Sequence, residues 1–171
     1  MLTIDYNRIK QYALDALVLS GIRTLPVDVV RLCERHGWVC LPHTPGDPDR
    51  AADPAFRRPG ADAEAKTVLR YVGDPSQPEV RWAMAREAGL LLMRDEPPGE
   101  QGVAFFVEQL LMPLPVLERC DIHTVQEIQR LCEVPTEAAT AVLRNLTRYR
   151  TYKIRFGASE LDEKFLEQFT G

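Results

Sequence analysis

The chain has 171 residues, 45% of them hydrophobic and 27% charged, with a formal net charge of -4. That is the balance of an ordinary globular protein long enough to bury a core, and it excludes a general electrostatic pull toward nucleic acid or an anionic membrane. No apolar run approaches the roughly 20 residues that span a bilayer, and the start lacks the basic-then-apolar pattern of a secretory signal. A cytoplasmic location is therefore expected, with Cys33, Cys40, Cys120 and Cys132 as reduced thiols.

Residues 5–20 place Tyr6, Ile9, Ala13, Leu14, Leu17 and Val18 at helical spacing, and Gly21 supplies a stop. Pro26 suits the first position of a second helix over 27–36, with Val29, Val30 and Cys33 inward and Gly37 after it. Residues 38–41 are strand formers. The stretch 42–65 is rich in proline and charge, has almost nothing to bury, and reads as a long mobile surface loop. A strand over 67–72 and a turn over 73–78 lead into a helix over 79–93. A Pro-Pro break precedes a helix over 100–112 that Pro113 ends. Helices are then expected over 124–132, 136–149 and 159–169, with Thr124 or Thr136 as caps.

The 79–93 helix is apolar on nearly every face, as buried helices are, yet Arg86 and Glu87 stand together at its middle. Its run Arg-Trp-Ala-Met-Ala-Arg-Glu-Ala-Gly-Leu-Leu-Leu resembles the central helix of the ImmA/IrrE family of small zinc metallopeptidases. There the helix carries His-Glu-x-x-His, two zinc ligands on one face with the Glu as general base. The run Val-Ala-Phe-Phe-Val-Glu-Gln-Leu-Leu-Met-Pro is similar to that family's second signature, Glu-Ala-Asn-x-Phe-Ala-x-x-Leu-Leu-x-Pro. The resemblance covers about residues 12–169 and is most specific in these two helices. It implies an α+β, zincin-like fold, mostly helical with a small sheet, over residues 1–119, and a C-terminal helical extension over 120–171.

The departures from the family pattern are at the ligands. Arg86, Leu90 and Gly102 stand where the two His and the ligating Glu would be, while Glu87 matches the general base. Arginine has no lone pair to give a metal. The resemblance thus implies a pseudoenzyme with no metal and no cofactor, its cleft retained to bind a protein. Family members act on helix-turn-helix transcription regulators, so such a regulator is the implied partner class. Glu100 and Glu108 are the candidate polar remnant. Neighbours in sequence do not face each other on a helix, so Arg86 needs Glu100 or Glu108, or Glu87 through a rearranged rotamer, and Glu87 needs Arg81 or Arg94. If the guanidinium replaces the metal, Arg86 is buried, and its removal costs roughly 3–5 kcal/mol; the alternative is that Arg86 snorkels to solvent. The changes Arg86→His, Leu90→His and Gly102→Glu would restore the ligand set.

Two rival readings stand beside this one. The first is an active peptidase recruiting metal through Glu87, Glu100 and a loop His. The second is a DNA-binding regulator: 124–146 has a helix-turn-helix pattern, followed by Arg144, Arg148, Arg150, Lys153 and Arg155 with Tyr149 and Tyr152 interleaved. The apolar stripe Ala138, Ala139, Val142, Leu143 commits the second helix to packing, so a solvated basic face is preferred and nucleic acid is not the expected partner. The cysteines lack Cys-x-x-Cys spacing, Cys33 and Cys132 read as small core hydrophobes, and His36, His43 and His123 read as surface or capping residues. Phosphate-loop and nucleophile-elbow motifs do not occur.

Overall fold

The computed structural model describes residues 3–43, 55–56 and 67–169. Among them are eight helices and one three-stranded sheet, an α+β architecture.

Helix α1 (Tyr6–Ser20) starts where the Asp5 carboxylate accepts from Arg8 N at 3.1 Å, and ends at Gly21, whose φ of 66° suits a residue without a Cβ. Helix α2 (Val29–Arg35) begins later than Pro26 suggests. The Asp28 side chain accepts from Arg31 N at 3.0 Å and satisfies a first-turn donor, which proline cannot do. Strands β1 (Val39–Pro42), β2 (Ala55–Phe56) and β3 (Val68–Tyr71) form a sheet ordered β1-β3-β2. β1 runs parallel to β3 and β2 antiparallel to it. Of the expected 42–65 loop, Pro42 closes β1 and Ala55–Phe56 is a strand; His43 N donates to Tyr71 O at 2.8 Å. The mobility expected for the rest of that stretch lies outside the described residues.

Helix α3 (Pro78–Leu92) carries proline in its first turn, where no intrahelical donor is lost. It is not buried on all sides. Met84, Ala85, Ala88 and Gly89 face the core, Ala83 faces solvent, and Trp82, Leu90, Leu91 and Leu92 are half-buried. Helix α4 (Gly99–Leu111) packs on both α3 and α1. Helix α5 (Leu114–Arg119) is absent from the sequence reading, because Pro-Leu-Pro looks like a break; Pro115 falls in its first turn, where proline is tolerated.

Helix α6 (Val125–Cys132) opens with a reciprocal Thr124–Glu127 cap, and α8 (Glu160–Gln168) with the same device from Ser159 and Asp162. Helix α7 (Thr136–Phe156) continues past 149 to Gly157, since nothing in Arg150 to Phe156 breaks a helix. One apolar core runs from Ile9 to Phe169, so the C-terminal helices share it with α1 to α4.

Arg81 ties these halves together. It is only 6% exposed, and its Nε and Nη2 donate to Glu133 O at 3.1 Å and Cys132 O at 3.2 Å. It thereby caps the C-terminal carbonyls of α6 from α3, where a cation also favours the helix dipole. Burial lowers the guanidinium's pKa from its ordinary value. Arg81→Met keeps the stem and removes the donors. We expect it to cost about 1.5–3 kcal/mol in urea unfolding, the range for hydrogen bonds to a charged group. A loss below about 0.5 kcal/mol, typical of surface changes, would show that water or other donors serve those carbonyls.

Candidate functional site

The site is the outer seam of α3 and α4. Glu79, Trp82 and Arg86 recur at three- and four-residue spacing along α3, and Glu100, Ala104 and Glu108 do so along α4, so each set lines one helix face. The helices approach closely at Gly89: a Cβ there would lie 2.7 Å from Phe106 Cδ1.

Arg86 joins the helices. Its Nη2 donates to Glu100 Oε1 at 3.0 Å and its Nη1 to Glu87 Oε1 at 3.3 Å. The side chains are unequal in exposure: Arg86 36%, Glu87 2% and Glu100 86%. One expectation is corrected here: Arg86 is half-exposed rather than buried, because it lies on the rim of the seam and not beneath it. The expected pairing with Glu100 is present, and Glu87 is a second direct partner, reached by a guanidinium stem that bends back over the helix. Of the cations offered to Glu87, Arg81 places Nε and Nη2 on α6 and Arg94 lies 4.0 Å from Asp95.

Gly102 faces away from this group. A Cβ there would meet Pro98 Cβ at 2.4 Å and Ile9 Cδ1 at 3.2 Å, so Gly102 is the close contact of α4 with its own N-terminal loop and with α1. Glu100, not position 102, is the α4 residue that reaches Arg86. Leu90 is half-buried one turn beyond Arg86. A guanidinium, a leucine and this glycine are not a donor set that fits zinc. Gly102→Glu would also require the start of α4 to move, which weakens the case for restoring a ligand set by substitution. Among the described residues no group of three or more His, Cys, Asp or Glu side chains is arranged to hold a metal ion.

Glu108 does not reach Arg86. It lines a cleft of about 390 Å³ with Glu79, Trp82, Pro135, Glu137 and Ala138, where α3 and α4 meet the start of α7. Burial raises its carboxyl pKa above the ordinary value. Three carboxylates and an indole thus share one open recess.

His36 and His123 are engaged locally, whereas the ring Nε2 of His43 is buried without a hydrogen-bond partner among the described residues. His36 Nδ1 lies 2.7 Å from Leu32 O and its ring stacks on Trp38, while His123 Nε2 lies 2.7 Å from Asp121 Oδ1. The basic run is partly consumed by structure. Arg150 bonds Ile122 O, Lys153 Nζ lies 2.8 Å from Glu118 Oε2, and α7 buries Ala139, Val142 and Leu146. Sequence reasoning missed that the turn at Gly37 brings Cys40 of β1 back beside Cys33 of α2. The only sequence signal for this is a Gly turn between a helix end and a strand. Cys132 is buried with its thiol pushed up to about 12, and Cys120 is exposed.

Comparison with family models finds no match, and comparisons with curated proteins and with solved structures find none either.

Two predictions follow from these environments. Glu100→Ala should cost no more than about 1 kcal/mol, since the pair is exposed. Arg86→Ala should cost about 2 kcal/mol, because it also withdraws a charged donor from buried Glu87. Equal costs in urea unfolding would contradict the difference in burial. For Glu108, the raised native pKa means that the native state holds its proton more readily than the unfolded chain. The associated stability is present at low pH and falls as pH rises from the ordinary Glu value through the native one. Glu108→Gln carries no such charge. It should raise the melting temperature at about pH 7 and give little change near pH 4, at or below the ordinary Glu pKa. An equal gain at both pH values would remove desolvation as the cause.

Proposed function

We propose that the chain is a non-catalytic protein of metallopeptidase-like, zincin-type descent that binds a protein partner, a helix-turn-helix regulator being the class its sequence resemblance implies. The observation that carries this reading is the Arg86 guanidinium on Glu87 and Glu100. The carboxylate in the general-base position is held by a cation of the chain itself, where an active enzyme of this kind would need it turned toward a metal-bound water. The cleft beside the pair supports the binding half of the reading. Its Trp82 offers an aromatic anchor, and Glu79, Glu108 and Glu137 offer negative charge to a Lys- or Arg-bearing segment. DNA-binding regulators carry such basic surfaces.

The test uses the purified chain and a helix-turn-helix regulator from the same source. The two should co-elute in gel filtration, the regulator should stay intact with added zinc, and Trp82→Ala with Glu108→Lys should weaken binding at least tenfold, about 1.4 kcal/mol. Cleavage of the regulator that stops on Glu87→Gln, or one equivalent of zinc lost in that variant, would replace this reading with an active peptidase.

A further inference from the structure

We propose that Cys33 and Cys40 form a dithiol site that a low-molecular-weight disulfide of the glutathione type oxidises to an intrachain disulfide, clamping α2 to β1. Cys33 lies on the core face of α2 and is fully buried. Cys40 is paired with Leu69, so it shares the face of the sheet on which Leu69 is fully buried, and it is itself only half-buried. The backbone brings the two together. His36 N and Trp38 N both donate to Cys33 O, at 3.1 and 3.0 Å, and Gly37 reverses the chain with a φ of 79°. β1 therefore returns along the last turn of α2 and brings Cys40 back beside Cys33.

The pair is asymmetric. Cys33 is fully buried, and the neighbouring Cys40 and burial push its thiol up, whereas Cys40 is half-buried and within reach of solvent. The solvent-accessible thiol is the nucleophile of such a pair. Its thiolate attacks one sulfur of the disulfide, forms a mixed disulfide and expels one thiolate. Cys33 then loses its proton to solvent and attacks the Cys40 sulfur, expelling the second. Two protein thiols are oxidised by two electrons, and one small disulfide becomes two thiols. Cys120 and Cys132 carry no such pairing: one is exposed, and the other is buried with its thiol held protonated.

Arg35 lies between the two cysteines, which makes the product readable. The reduced chain is incubated with oxidised glutathione, quenched with an alkylating agent under denaturing conditions and digested with trypsin. The expected result is a covalently joined pair of peptides from either side of Arg35, reversed by dithiothreitol. Cys33→Ala should leave one glutathione on Cys40, and Cys40→Ala should leave Cys33 unmodified. Wild-type chain that carries only a glutathione adduct on Cys40, or that leaves both cysteines open to the alkylating agent, would overturn the proposal. So would a Cys33 adduct in Cys40→Ala, which would reverse the order of attack. These readouts do not depend on any partner or metal.

Discussion

The distance between α3 and α4 is set by one glycine and one phenylalanine. Gly89 has no Cβ, and the fully buried ring of Phe106 comes within 2.7 Å of where that atom would be. A glycine inside a helix costs about 1 kcal/mol relative to alanine. Burying a phenylalanine side chain returns roughly 1.5–3 kcal/mol, so the close approach wins. Everything at the seam inherits that spacing: a wider gap would part Arg86 from Glu100 and open the floor of the cleft beside Trp82.

A second close approach fixes the other side of α4. Gly102 is pressed against Pro98 and Ile9, so α4 is held close to α3 at Gly89 of that helix and close to α1 at its own Gly102. This explains why Glu100 turns toward α3 while position 102 turns toward α1. It also makes the Arg86 group a rim feature. Its exposed partner Glu100 contributes little to stability, while buried Glu87 makes the guanidinium matter.

Arginines do much of the work of joining the C-terminal helices to the rest. Arg81 caps α6, Arg119 donates to Leu166 O and Phe169 O at 3.0 Å each and so closes α8, and Arg150 holds Ile122 O. The planar guanidinium suits this, since its diverging donors serve two carbonyls at once. Charges that look like a solvated face or a phosphate-binding stripe in the sequence are in part structural donors to helix ends.

The sequence by itself determined the α+β class, α1, the strands β1 and β3, and the approximate spans of α3, α4, α6 and α8. It did so because caps, prolines and apolar spacing act within a few residues. It misplaced the start of α2, which Asp28 fixes, and it missed α5 and the end of α7, where prolines and a polar tail hid a continuous helix. It named Arg86 with Glu100, Glu108 or Glu87 as partners but could not say that Glu87 and Glu100 share the guanidinium while Glu108 does not. Only the tertiary structure decided that Arg81 serves α6, that Glu108 lines a separate cleft, and that Cys33 meets Cys40. Those outcomes depend on which helix faces touch and how closely, and that is settled by side-chain volume at contacts such as Gly89 with Phe106, which no local pattern encodes.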